Sequence, residues 1–235
     1  MRIVVTAGPT REYLDPVRFL SNPSTGKMGF AIAAEAARRG HDVTLIAGPV
    51  TLKTPKGVER VDVTSAREML AAVRKSLLTS CCGGLSSEHR SIRASDHLRN
   101  FTAFISTAAV ADWRPAKCAA KKLKKGEMSG VLKLVRNPDI LKTIDSCRKR
   151  SKAVGLRLVG FAAETDHVLG EAARKCREKG LEFIVANDVT KKGCGFGTDT
   201  NRVTFVFPDG TLKKFPLMTK RRVAREILKE VEHER

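Results

Sequence analysis

Side chains able to do chemistry crowd into one stretch near the start of the chain, AGPTREYLDPVRFLSNPSTGKMG, from Ala7 to Gly29. Arg11, Arg18, Ser21, Asn22, Ser24, Thr25 and Lys27 offer cations, hydroxyls and an amide to anions or carbonyls. Gly26 and Gly29 lack side chains where backbone N–H groups would meet a phosphate. The expected chemistry is binding of a phosphorylated ligand, against the competing reading of a solvated surface loop. Two common phosphate patterns are missing. A Walker A loop needs glycine five residues before its G-K-[ST] glycine, but that position is Ser21, and Met28 follows Lys27. A dinucleotide fingerprint needs G-x-G-x-x-G directly after the first strand and an acidic residue closing the second, whereas Val43 to Ala47 runs into Gly48-Pro49. The only tyrosine, Tyr13, has Val17 four residues on, so the Tyr-x-x-x-Lys pair of hydride-transferring reductases is missing too.

The elements that must position this stretch follow from periodicity. Arg2 to Thr6 is a short β-branched run, and Met28 to Arg39 repeats apolar residues at helical spacing up to Gly40. The connection between them is long for a strand-to-helix loop, which normally takes about 2 to 6 residues. Further strands are expected at 43–47, 58–63, 102–107, 157–163 and 182–186, with helices at 65–78, 138–149 and 168–179. A hairpin is expected from 202–207 and 211–215 around Pro208-Asp209-Gly210, followed by a last helix from Lys220 to about Glu232. This alternation predicts an α/β fold, Rossmann-like and doubly wound, with a mostly parallel sheet. Ligands of such sheets bind beyond the carboxyl ends of the strands. The opening loop, Ala108 to Pro115, Glu164-Thr165 and Asn187-Asp188 all fall there. Two stretches interrupt the rhythm: the polar segment 79–100, expected to be a mobile insertion, and the lysine-rich segment 117–125.

With 235 residues and 42% hydrophobic content the chain can bury a full core. No apolar run approaches the roughly 18 residues needed to span a bilayer, and no signal peptide is visible, so a cytoplasmic protein without membrane contacts is expected. Six cysteines form no C-x-x-C pair and have no histidine at zinc spacing, which argues against both a disulfide framework and a zinc site. The net charge of +19 would suit a nucleic-acid partner. Against that, aromatics are only 5% and the basic residues spread along the whole chain, so specific nucleic-acid binding is not expected.

Seven motifs then stand in a consistent order: TAGPTREYLDPVRFLSNPSTGKMGFAIA, AAVADWRP, KLKK, VRNPDIL, VGFAAET, ANDV and GFGTDTN. Together they resemble the phosphopantothenoylcysteine synthetase family over nearly the whole chain, with a departure at 79–100, where the family connection is short. The resemblance implies one synthetase domain over 1–235, with 117–136 forming a lysine-rich loop and a dimerisation arm. It implies a ligase of coenzyme A biosynthesis that joins 4'-phosphopantothenate to L-cysteine, with CTP as co-substrate, Mg²⁺ as cofactor and an acyl-cytidylate as intermediate. In most bacteria the domain follows a flavin-dependent decarboxylase. A stand-alone or excised synthetase without flavin is therefore expected, working as a homodimer beside a separate phosphopantothenoylcysteine decarboxylase. Alternatives are the same ligation with ATP, and a non-catalytic nucleotide- or RNA-binding protein on this fold.

The same resemblance assigns residues. Lys122, first lysine of KLKK, matches the catalytic lysine of the first step. Asn22 and Arg18 match residues that handle the acyl-cytidylate, and Ala108 is also implicated in the second step. Ser106, Thr107 and Ala108 resemble the segment reading the cytosine. Asp112 resembles a nucleotide-site residue that either contacts the ribose or holds Mg²⁺. Pro138, Asp139, Ile140 and Leu141 would begin a helix whose positive end faces phosphate. Phe161 would pack on the base, and Lys175 and Lys179, one helical turn apart, would face the nucleotide.

Overall fold

A computed structural model describes residues 1–78, 102–124, 130–151, 155–164, 168–188, 194, 195 and 197–233. The expected insertion at 79–100 lies outside the described residues, as do residues 125–129 of the lysine-rich segment. The chain opens with strand β1 (Arg2–Ala7), the short strands β2 (Arg11–Tyr13) and β3 (Phe19–Ser21), and helix α1 (Lys27–Arg38). Next come β4 (Asp42–Ala47), β5 (Glu59–Asp62), α2 (Ala66–Leu78), β6 (Thr102–Ser106), β7 (Trp113–Pro115), β8 (Leu134–Arg136) and α3 (Ile140–Ser151). The remainder is β9 (Leu156–Glu164), α4 (Val168–Glu178), β10 (Phe183–Asp188), β11 (Thr200–Asn201), β12 (Val203–Val206), β13 (Leu212–Lys214), β14 (Met218–Thr219) and α5 (Lys220–Glu232).

One eight-stranded sheet runs β13-β12-β10-β9-β6-β1-β4-β5. Its six strands from β10 to β5 are parallel, and β12 and β13 add an antiparallel edge, the expected C-terminal hairpin. Counting only the parallel strands along the chain, their spatial order is 3-2-1-4-5-6, the doubly wound order, and the direction of winding reverses between β1 and β6.

The apolar run of β1 explains its central place, because a strand covered on both faces needs apolar residues at every position. Ile3 and Val5 enter a core with Phe30, Ile32 and Ala36 of α1 and Val223, Ile227 and Leu228 of α5. Val4 enters the opposite core with Met69 and Val73 of α2, Ile144 of α3 and Cys176 of α4. The sheet is thus sandwiched between α1 and α5 on one face and α2, α3 and α4 on the other.

Three differences from expectation have local causes. The opening loop is partly ordered as the β2–β3 hairpin, in which Tyr13 stacks on Phe19 at 5.3 Å between ring centroids. Helix α3 starts at Ile140 rather than Pro138, because Asp139 caps it by accepting from the Lys142 N–H at 3.0 Å. The segment after β6 makes a second ribbon, β7 against β8, which pairs Trp113 with Arg136. Among the described residues no helix is long and apolar enough to cross a membrane.

Candidate active site

Loops after β1 and β6 flank the point where the winding reverses, and a short parallel zipper joins them. Thr107 donates from its backbone and its hydroxyl to the Thr6 carbonyl, at 3.2 and 2.6 Å. Ala109 N–H reaches the Gly8 carbonyl at 2.9 Å, and Ala111 N–H reaches the buried Thr10 hydroxyl at 3.0 Å. Asn22 completes the join. Its amide nitrogen donates to the carbonyls of Ala109 at 3.2 Å and Val110 at 3.1 Å.

A cleft of about 420 Å³ opens over this zipper, lined by Asn22 to Gly29, by Thr107 to Val110 and Asp112, and by Phe161, Asn187, Asn201 and Lys220. That size suits a small-molecule ligand. Helix α1 points its N-terminus at the cleft, capped by Gly26 in the left-handed region (φ 78°) with no side-chain hydrogen bond to its first turn. A β-carbon on Gly29 would come within 2.5 Å of both Ala7 Cβ and Thr107 Oγ1, so glycine is what lets α1 sit directly on the strand ends.

Of the residues singled out in the sequence, Asn22, Thr107, Ala108, Asp112 and Phe161 come together in this cleft. Phe161 is partly buried and packs against the α1 side of the core. Ser106 ends β6 opposite Thr6 and does not line the cleft. Ile140 and Leu141 are core residues, 5% and 8% exposed, so only their backbone N–H groups are open to a phosphate. Asp139 and Lys179 pair with each other at 2.8 Å, and Lys175 lies two turns along the same helix side as Arg174 and Glu178 form their own pair.

Arg18 is not brought to the cleft. Its guanidinium pairs with Asp15 at 2.7 Å and donates to the Leu123 carbonyl at 2.6 Å. Asp15 is fully buried and also accepts from the N–H groups of Val17, Arg18 and Leu123, at 2.9, 2.8 and 3.2 Å. Burial pushes its carboxyl upward, but those N–H groups and the guanidinium outweigh burial and hold it well below the ordinary carboxylate range. With Ala119 N–H on the Leu14 carbonyl at 2.8 Å, the opening loop thereby docks the lysine-rich segment. Lys122, beside Leu123, is exposed.

Sequence reasoning missed Asp15, Thr6 and Thr10 as organisers and Lys220 and Asn201 as lining residues. Lys27 lay in the flagged loop without a specific role; its ammonium meets Asp199 at 2.8 Å and the Gly197 carbonyl at 2.7 Å. Lys220 carried no signal beyond opening the last helix.

For an Mg²⁺ ion, the described residues hold no cluster of three or more histidine, cysteine or acidic groups. Asp112 stands alone, exposed at the cleft wall. One carboxylate fits a magnesium ion that takes its other ligands from phosphates and water.

A doubly wound α/β domain with a polar cleft where its winding reverses belongs to the broad class that binds nucleotides and other phosphorylated ligands at that point. The chain belongs to the DNA/pantothenate metabolism flavoprotein C-terminal domain family, matched over residues 1–81 and 86–234. It is 44% identical over 234 residues to the coenzyme A biosynthesis bifunctional protein CoaBC of Escherichia coli K12, covering 98% of this chain and 51% of that protein. Against the Bacillus subtilis protein of the same name the identity is 45% over 230 residues, covering 97% and 50%. The chain thus spans about half the length of these bifunctional relatives. The crystal structure of the C-terminal domain of a CoaBC protein matches with a TM-score of 0.72 and 41% identity, over 98% of this chain and 93% of that one.

Proposed function

We propose that the domain is a phosphopantothenate–cysteine ligase that activates 4'-phosphopantothenate with CTP. The observation that carries this reading is the Asn22 clamp on Ala109 and Val110. It joins the anion-binding loop after β1 to the loop after β6 in one cleft, where a phosphorylated acyl substrate and a nucleotide can meet. Kinship with CoaBC proteins over 98% of the chain supports the substrate class.

In the first step a carboxylate oxygen of 4'-phosphopantothenate attacks the α-phosphorus of CTP, and the bond to the bridging oxygen of pyrophosphate breaks. In the second the cysteine amine attacks the acyl carbon, and CMP leaves with the former carboxylate oxygen. Thr107, Ala108 and the segment from Ser106 hold the base, with Phe161 against its face. Lys122 neutralises charge that builds on the phosphates, where a fixed cation contributes most. Asp112 would hold Mg²⁺ on the triphosphate, and the ion would supply charge neutralisation there. Asn22 keeps its amide oxygen for the acyl intermediate and the incoming amine, since its nitrogen is engaged. Arg18 acts through the docked lysine segment. Backbone N–H groups at the start of α3, with Lys175 and Lys179, lie on the nucleotide side.

The same reading includes a homodimer. Val17 and Phe19 of the β2–β3 hairpin and Trp113, Val131, Leu132 and Leu134 of the β7–β8 ribbon are exposed apolar residues of the arm region, with Val131 83% exposed. Patches of this kind mark protein contacts.

The test is product formation with a panel of CTP, ATP, GTP and UTP, each with and without 4'-phosphopantothenate and cysteine. The proposal expects 4'-phosphopantothenoylcysteine and pyrophosphate with CTP. Product with ATP alone would move the activity to the other nucleotide, and nucleotide binding without turnover would leave a binding protein.

A further inference from the structure

Lys220, the first residue of α5, is the anomaly of the cleft. It is 9% exposed and lines the cleft wall, yet its ammonium forms no hydrogen bond or ion pair among the described residues. Buried lysines are almost always paired, because an uncompensated charge out of water is costly. The nearest carboxylate, Asp199, is already engaged by Lys27 at 2.8 Å and touches Lys220 only through its backbone carbonyl, which accepts the Lys220 N–H at 2.9 Å. Burial lowers the Lys220 pKa, Lys27 lowers it further, and Asp199 offsets only part of this. Two ammoniums therefore share one carboxylate, beside an α1 N-terminus whose first turn has no side-chain cap. This corner lacks one dianion.

We propose that Lys220, Lys27 and the first turn of α1 form the subsite for a phosphate monoester, and that its occupant is the 4'-phosphate of the pantothenate substrate rather than a phosphate of the nucleotide. The assignment rests on the ligase reading above. Three features of one corner support it: a twelve-residue helix aimed N-terminus first, a cation on its first residue, and a buried cation without a partner. The nucleotide side of the same cleft, at Thr107 to Asp112, belongs to the other wall. A substrate spanning the two places its phosphate at α1 and its carboxylate toward the nucleotide. The unphosphorylated acid has nothing to offer the two ammoniums, so the subsite makes the enzyme select phosphopantothenate over pantothenate.

The experiment compares wild type, Lys220→Gln and Lys220→Arg in steady-state kinetics, with thermal melts as a fold control. It adds a turnover-independent measurement, titration of inorganic phosphate followed by ³¹P NMR line width. Expected for Lys220→Gln is a rise of about tenfold or more in KM for 4'-phosphopantothenate, a KM for CTP within about twofold of wild type, and loss of phosphate broadening. The melting temperature should not fall, because the charge removed has no partner, and Lys220→Arg should recover much of the phosphate binding. An unchanged KM for 4'-phosphopantothenate, or an equal rise for CTP, overturns the subsite. A lowered melting temperature with phosphate broadening intact also overturns it, by making Lys220 structural. If wild type makes no product, the ligase reading fails while the phosphate titration still decides the subsite.

Discussion

Asp15 and Arg18, three residues apart in the loop after β1, form an ion pair at 2.7 Å, and both partners reach Leu123, more than a hundred residues along the chain. The carboxylate takes the Leu123 N–H and the guanidinium takes its carbonyl. The pair therefore fixes the backbone on which Lys122 sits. Asp15→Asn turns an amide N–H₂ toward Arg18 or toward Leu123 N–H, so one bond becomes a clash of donors. It should slow pyrophosphate exchange into CTP by about 10²-fold, the loss expected for a catalytic group misplaced by about 1 Å. Circular dichroism should show the fold retained. In combination with Lys122→Gln the extra loss should vanish, since Asp15 acts through that lysine; additive losses would separate the two residues.

Lys122 itself is exposed and stands outside the core. Lys122→Gln should leave stability within about 0.5 kcal/mol of wild type, as for other surface changes. Labelled pyrophosphate exchange into CTP should fall about 10²- to 10³-fold. Exchange at the wild-type rate would remove Lys122 from the first step.

Asn22→Asp has two consequences that follow from its hydrogen bonds. A carboxylate replaces the donor facing the carbonyls of Ala109 and Val110, and a negative charge enters beside the activated acyl group. The first step, which depends on Lys122, should persist while transfer to cysteine slows by about 10²-fold. Rapid quench and mass spectrometry should then find accumulated acyl-cytidylate. Quenched samples without it would contradict the assignment of Asn22 to the second step.

Much of this was legible in the sequence, for reasons visible in particular residues. Ile3, Val4 and Val5 announce a strand buried on both faces, and Thr102 to Ser106 does the same for its neighbour, so the cleft could be looked for where they end. Asn22, Thr107, Ala108, Asp112 and Phe161 do meet there. The β2–β3 hairpin was not legible, because three-residue strands draw their stability from tertiary contacts rather than from local pattern. Arg18 looked like a phosphate ligand because nothing local shows that Asp15 is fully buried and that Leu123 returns to both. Lys220 read as an ordinary helix start, since burial against a distant loop has no periodic signature.

Stability should carry a pH signature at α1. Glu35 is 3% exposed and held by Arg38 and Arg39 of its own helix, with Arg225 of α5 at 3.6 Å. The Arg38 hydrogen bond, followed by that of Arg39, outweighs burial and lowers its pKa from 4.5 to about 2. A carboxyl whose folded pKa is depressed stabilises the fold above its unfolded pKa and loses that contribution as pH falls toward the folded value. Stability should thus decline between pH 4.5 and about 2, in part through this group. Glu35→Gln should cost about 1–2 kcal/mol at neutral pH and flatten that part of the profile in urea melts. An unchanged profile would place the acid sensitivity in other carboxylates.

The account centres on an acyl-cytidylate, and oxygen labelling tests it most directly. When 4'-phosphopantothenate carries ¹⁸O in its carboxylate, attack on the α-phosphorus and later release of CMP should leave one labelled oxygen in CMP and none in pyrophosphate. Label in inorganic phosphate or pyrophosphate, or CMP free of label after full conversion, would contradict activation through the nucleotide's α-phosphorus.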